Sequence, residues 1–174
     1  MQKLASQTTD TYLLLGTNMG DRPALLTQAL AEIAHEIGII TRISSIYETA
    51  AWGNENQAPF LNQVVKVTTI FSAEEVLAKL QAIEKKLGRE RHAKWEARLM
   101  DIDILFYGNK VIDTDELKVP HPYLAQRRFT LVPLQEIAPH YMHPVLHKTV
   151  TELLDLAPDP LPVTPYHAAD YEPH

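Results

Sequence analysis

A chain of 174 residues, 45% hydrophobic and 22% charged, is long enough to bury one real core, which excludes a disordered segment. Its net charge of −6 and pI of about 5.7 argue against general nucleic-acid binding. It has no Cys, so no disulfide framework or thiolate metal site. It lacks the long apolar stretch of a signal peptide or a membrane span, so a cytoplasmic enzyme is the expectation.

In chain order, the apolar run Tyr12 to Leu15, ending at Gly16, predicts a buried strand. The polar loop Gly16 to Asp21 follows, with Asp21 placed to N-cap a helix and Pro23 in its first turn. Leu26, Leu30, Ile33 and Ile37 recur at four, three and four residues, and Gly38 reads as a left-handed stop. β-Branched residues predict a second strand over Ile39 to Tyr47. Thr49 to Phe60, with Gly, Asn and Pro and no periodicity, is a long loop of the kind that often carries function. Leu61 to Ile70 is the third predicted strand.

Ser72-Ala73-Glu74-Glu75 is a capping box. Its helix carries Val76, Leu80, Ile83 and Leu87 on one stripe and ends at Gly88. Gln81 and Glu84 share a face near its C-terminal end. Met100 to Tyr107 is a fourth strand, and Gly108-Asn109 turns into a short strand around Val111-Ile112. Val119-Pro120-His121-Pro122 is an irregular connection. Tyr123 to Ala138 predicts one or two short helices, and Thr149 caps a last helix through Leu156. Residues 1–10 read as an extension, and the Pro-rich stretch 158–174 as a surface tail without regular structure. The order predicts a single α+β domain over 1–174: a ferredoxin-like βαββαβ core with an added hairpin strand and C-terminal helices, in three α/β/α layers.

The chemistry concentrates between Gly88 and Tyr107. Six of the 16 Lys/Arg residues fall between Lys85 and Arg98, a cationic patch on an acidic protein, which suits a small anionic ligand. Arg89, Arg91 and Arg98 offer fork-like contacts to phosphate oxygens, whereas Lys85 and Lys86 read as surface residues. Asp101 and Asp103 then alternate with Ile102 and Ile104, which puts both carboxylates on one face of a rigid strand. Two neighbouring carboxylates in an apolar setting repel, and a divalent cation removes the conflict. The alternative is a solvated strand face carrying two acids.

Of eight His, His92 lies inside the cationic segment. His121 is held between two prolines, where a phosphate-contacting and a structural role are both open. Trp52, Phe60, Asn62, Trp95 and Phe129 suit a pocket for a flat heterocycle, with rings to stack and an amide to read an edge; core packing is the plainer reading for any one ring. There is no Walker-type loop, Ser-His-Asp pattern or HExxH.

In order and spacing, several segments resemble the 6-hydroxymethyl-7,8-dihydropterin pyrophosphokinase family of folate biosynthesis. They are Leu15-Gly16-Thr17-Asn18-Met19-Gly20-Asp21, Ser45-Ile46-Tyr47-Glu48-Thr49, Phe60-Leu61-Asn62 and Ile83-Glu84 through Leu87-Gly88-Arg89-x-Arg91. Further on come Arg98-x-x-Asp101-Ile102-Asp103-Ile104-Leu105, Val119-Pro120-His121-Pro122 and Arg127-Arg128-Phe129.

The resemblance implies transfer of the pyrophosphoryl group of ATP to the pterin hydroxymethyl oxygen, releasing AMP. It implies two Mg²⁺ ions on Asp101 and Asp103, and catalytic roles for Arg89 and Arg98. It implies ATP contacts from Gln81, Glu84, Arg91, Trp95, Arg98, Ile104, His121 and Arg127. For the pterin it implies Thr49, Ala51, Trp52, Phe60, Asn62, Trp95 and Phe129, with the rings of Phe60 and Phe129 forming a sandwich. ATP and the pterin are its implied partners; the charge and short apolar runs lead to the expectation of neither nucleic acid nor membrane, and a monomer is expected.

The chain departs from the family pattern at Ala50-Ala51, where Pro-Pro is frequent, and at Glu96-Ala97, where Gly-Pro is usual. Glu116 stands where some members carry an Arg that reaches ATP. The competing readings are another Mg-dependent Asp-x-Asp nucleotidyl- or glycosyl-transferase and a non-catalytic nucleotide-binding module.

Overall fold

Apolar residues on both faces of the first strand dictate the layering. In β1 (Thr9–Thr17), Leu13 and Leu15 enter one core, while Tyr12 and Leu14 enter another. A strand apolar on both faces must be covered on both. The computed structural model describes residues 7–50, 58–88 and 99–167.

The first core is closed by α1 (Arg22–Glu36) and α2 (Ala73–Leu87), through Leu26, Ile33, Val76, Leu80 and Ile83. Asp21 caps α1 by accepting from the Ala24 amide at 3.2 Å. Ser72 and Glu75 form the complete capping box of α2. The second core lies under α3 (Arg128–Ile137) and α4 (Val150–Leu156), where Leu131, Leu134 and Leu153 meet Leu14, Val64 and Phe106. Thr149 and Glu152 cap α4 reciprocally.

Between these layers, β1 pairs antiparallel with β4 (Phe60–Thr69) on one side and β5 (Asp101–Tyr107) on the other. The far edge of β4 is shared by β2 (Gly38–Ile43) and β3 (Tyr47–Thr49). β6 (Ile112–Asp113) and β7 (Lys118–Val119) form a separate two-stranded sheet. The result is the ferredoxin-like α+β arrangement anticipated from the order of elements.

Four local expectations change. The predicted Ile39 to Tyr47 strand is two strands, because the Ser44 hydroxyl takes the place of a backbone partner. Ser44 Oγ accepts from the Val64 amide at 2.9 Å, and the Ser44 amide donates to the Val64 carbonyl at 2.9 Å. Glu136 of α3 draws the same corner inward, accepting from the Ser45 amide at 2.6 Å and the Tyr47 hydroxyl at 2.5 Å.

Gly38 opens β2 instead of ending α1 in a left-handed turn. It is needed for close approach: a Cβ there would meet the Thr68 carbonyl oxygen at 2.1 Å. The turn at Gly108 has positive φ, but the short hairpin strand expected after it pairs with β7 and not with β5. The Pro-rich stretch is not uniformly irregular, since β8 (Thr164–Pro165) pairs with β3.

Candidate active site

Strand register builds the floor of the site. Asp101 of β5 lies opposite Gly16 of β1, and Gly16 lies opposite Asn62 of β4. Asp103 pairs with Leu14, and Phe60 with Thr49 of β3. Cross-strand partners share a face, so both carboxylates, Asn62, Phe60 and Thr49 all look toward the α3 side. The alternation Asp101-Ile102-Asp103-Ile104 places the acids as expected. Ile102 and Ile104 are buried in the opposite core beneath α1 and α2.

Gly16 is required by this floor. A Cβ there would sit 2.8 Å from Asn62 Oδ1. The missing side chain lets the Asn62 amide lie across β1 next to Asp101. Two β-strand residues separate the carboxylates by ~6.6 Å along the strand, within reach of shared or adjacent cations.

Above the floor, the chain between β7 and α3 supplies the second wall. The cavity holds about 760 Å³ and is lined by Thr49, Phe60, Asn62, Asp101, Asp103, Arg127 and Phe129. Its other lining groups include Leu14, Gly16, Ala50, Tyr123 and Gln126, with Pro158, Asp159 and Pro160 at the far side. The Arg127 guanidinium stands 4.8 Å from the Tyr123 ring centre and 5.5 Å from that of Phe129. Two aromatic faces thus hold this cation at the cavity wall.

His121 borders the carboxylates, its Nε2 lying 4.0 Å from Asp103 Oδ2. Its amide donates to the Leu105 carbonyl at 3.0 Å, where β5 carries an extra residue relative to β1. The Tyr123 amide donates to His121 Nδ1 at 3.2 Å, which assigns the proton of the neutral ring to Nε2. Burial pushes its pKa down, Asp103 pulls it up, and Arg127 lowers it further.

Other expected contacts are placed apart from this cavity. Gln81 lines a second groove with Glu74, Leu77, Thr114, Asp115 and Glu116, holding about 440 Å³ between α2 and the β6–β7 connection. Glu84 accepts from the Ile102 amide at 3.4 Å, tying α2 to the start of β5. Lys86 pairs with Glu32 at 2.6 Å on the surface, in line with its reading as a surface residue. Arg89, Arg91, His92, Trp95, Arg98, Ala51 and Trp52 lie outside the described residues.

Local sequence does not mark Leu14, Gly16, Tyr123, Gln126 and the 158–160 segment as lining groups. Gly16 lies in the Leu15–Asp21 motif, but the reason for it, the Asn62 side chain, comes from another strand. Nothing in local spacing marked Pro158, Asp159 and Pro160.

A sequence model of the 7,8-dihydro-6-hydroxymethylpterin-pyrophosphokinase family matches residues 12–139. The 2-amino-4-hydroxy-6-hydroxymethyldihydropteridine pyrophosphokinase of Aquifex aeolicus is 45% identical over 141 residues, 81% of this chain and 88% of that protein. The Bacillus subtilis protein of the same name is 45% identical over 127 residues, covering 72% and 76%. The fold is similar to that of the wild-type Plasmodium falciparum HPPK-DHPS crystal structure with pteroate. There the TM-score is 0.68 at 19% identity, over 86% of this chain and 42% of that one. On these matches, the chain belongs to the 7,8-dihydro-6-hydroxymethylpterin-pyrophosphokinase family.

Proposed function

We propose that residues 1–174 act as one pyrophosphokinase domain, which transfers pyrophosphate from ATP to 6-hydroxymethyl-7,8-dihydropterin in folate biosynthesis. The observation that carries this reading is a single cavity with two carboxylates at one part of its floor and paired ring and amide groups at another. Its volume of about 760 Å³ is within the usual range for a small-molecule site. The pterin hydroxymethyl oxygen attacks the β-phosphorus of ATP. The bond from that phosphorus to the α–β bridging oxygen breaks, AMP leaves, and the hydroxyl proton is released.

In this reading Phe60 and Phe129 stack on the pterin, while Asn62 and Thr49 read its edge, and Ala51, Trp52 and Trp95, outside the described residues, are assigned to the same ligand. The Thr49 hydroxyl supports this: it is buried against the cavity with no hydrogen-bond partner among the described residues. An unpaired buried hydroxyl costs about 1–3 kcal/mol, which a ligand contact removes. Arg127 faces the same space, and its forked donors suit phosphate oxygens. The Nε2–H of His121 donates beside Asp103, toward a phosphate oxygen of the nucleotide. Gln81, Glu84 and Ile104 are assigned to the nucleotide side, with Gln81 in the separate α2 groove. Arg89, Arg91 and Arg98 complete the cationic set.

Asp101 and Asp103 would hold two Mg²⁺ ions. Among the described residues no group of three or more His, Cys, Asp or Glu gathers into a metal cage. That donor set fits Mg²⁺, which is commonly held by one or two carboxylates with substrate phosphates and waters filling its shell. When bound, such ions neutralise triphosphate charge and polarise the attacked phosphorus. The remaining contribution of the chain is orientation: stacking fixes the acceptor, and the arginines fix the donor.

A cytoplasmic monomer is part of the proposal. No helix among the described residues is long and apolar enough to cross a membrane. The decisive assay incubates the protein with ATP, Mg²⁺ and the hydroxymethyl pterin and identifies the nucleotide product. AMP is expected in step with the pterin diphosphate; release of ADP instead would overturn the reading.

A further inference from the structure

We propose that the strap from Pro158 to Tyr166 positions the acceptor pocket, with Asp159 as its positioning residue. This rests on the pyrophosphokinase reading of the cavity, and it concerns a segment beyond residues 12–139 matched by the family.

The strap leaves α4 and crosses the first turn of α3. Arg127, at the N-cap of α3, makes no side-chain capping bond of its own. Asp159 takes that role from 31 residues away, its Oδ2 accepting from the Arg128 amide at 3.2 Å. A carboxylate at this end of a helix is favoured by the unpaired amides and the helix dipole. Its Oδ1 accepts from the Leu161 amide at 2.9 Å, which closes the strap's own turn. The helix end that carries Arg127 and Phe129 is thereby tied to Pro158 and Pro160, which line the cavity with Asp159.

Farther along, Thr164 pairs with Glu48 and Pro165 with Tyr47, and the Tyr166 amide donates to the Ile46 carbonyl at 2.8 Å. β3 carries Thr49 at its end, followed by Ala50, and both line the cavity. The Tyr166 ring also lies 5.8 Å from the Arg22 guanidinium. Arg22 in turn donates to the Pro59 carbonyl at 2.8 Å and reaches Glu48 Oε2 at 3.4 Å. One segment therefore holds α3's first turn and β3 directly, and through Arg22 the residue before Phe60.

None of residues 158–167 is fully buried, although Tyr166 packs partly against the first core. A segment serving chiefly as core would bury apolar side chains. This one spends its polar groups on the backbone of the pocket walls. Its effect is to set the gap between the Phe129 wall and the Thr49 wall, which governs acceptor binding and leaves the carboxylate end untouched.

The experiment compares steady-state kinetics and equilibrium pterin binding for the full chain, Asp159→Ala, Asp159→Asn and a chain truncated after Ala157. For Asp159→Ala the pterin KM is expected to rise about three- to thirtyfold, the scale of losing one N-cap. The ATP KM should rise less than the pterin KM, since Arg127 shares that helix end, and kcat should stay within about twofold on the same scale. Asp159→Asn keeps one acceptor oxygen and should recover part of the loss, and the truncation should exceed the alanine variant. An unchanged pterin KM in Asp159→Ala would overturn the proposal. So would equal increases in both KM values, or a kcat loss that follows melting temperature. If the full chain neither binds nor turns over the pterin, the pyrophosphokinase reading itself fails. If it binds pterin and Asp159→Ala binds it equally well, only the strap's role fails.

Discussion

His121 Nε2 lies 4.0 Å from Asp103 Oδ2, on the same side of the sheet as Asp101. The Nε2–H is fixed there by the bond that Nδ1 accepts from the Tyr123 amide. The carboxylate pair thus has a neutral donor beside it rather than a competing cation. On the proposed assignment, charge neutralisation of a bound polyphosphate would then fall to metal and arginine. Replacing Asp101 or Asp103 by Asn should lower kcat by about a hundredfold or more, the scale of losing an electrostatic contact at a transferring phosphoryl group. Asp103→Asn should keep its melting temperature, since that side chain is half-exposed. Near-normal turnover in either variant would remove the metal assignment.

Phe129 is half-buried at the first turn of α3, with the Arg127 guanidinium over its ring. Phe129→Ala deletes the proposed stacking surface and one of the two rings that hold Arg127. Stacking of a flat base on an aromatic is worth about 1–3 kcal/mol, so the pterin KM should rise about five- to 150-fold. The KM for ATP should rise less. A titration of pterin fluorescence checks this directly, and equal affinity in wild type and variant would place the acceptor elsewhere.

Two glycines separate stability from recognition. Gly38→Ala drives a Cβ to 2.1 Å from the Thr68 carbonyl oxygen, a backbone atom that cannot swing away. Urea unfolding should show a loss of about 1–3 kcal/mol, the usual cost of overpacking. Gly16→Ala meets a side-chain atom, Asn62 Oδ1, at 2.8 Å. The Asn62 amide can rotate, so the loss should appear in the pterin KM more than in stability. A destabilised Gly16→Ala with unchanged pterin KM would contradict the role given to Asn62.

Stability should fall as pH drops below about 6.5. His143 is buried, and its Nδ1 accepts from the amides of Val145 at 3.1 Å and Leu146 at 3.0 Å. Burial pushes its pKa below 6.5, and His147 adds to the shift. The unfolded state therefore binds the proton first. The stability held above pH 6.5 is lost as pH falls toward the folded-state pKa. His121 shifts in the same direction and adds the same sign. His143→Asn keeps an acceptor for those amides without the titration, so melting curves between pH 5 and 7 should flatten relative to wild type. An unchanged slope would exclude His143 as a contributor.

Features whose cause is local are legible in the sequence. The capping box at Ser72, the cap at Asp21 and the shared face of Asp101 and Asp103 follow from helix-end and strand geometry within a few residues. The acid pair and the quoted motifs therefore pointed to the chemistry, and the alternation of elements pointed to the fold.

What depended on distant partners was not legible. Gly38 looks like a helix stop until the Thr68 carbonyl is seen against it. Ile39 to Tyr47 reads as one strand until Ser44 and Glu136 interrupt it. Asp159 is an unremarked acid between two prolines until α3's first amide is found donating to it. The sequence by itself determined which residues are helical, extended, acidic or aromatic, because those tendencies act over a few bonds. Only the tertiary structure decided which of them share the cavity. That choice is set by register between strands and by packing across layers, which no local pattern encodes.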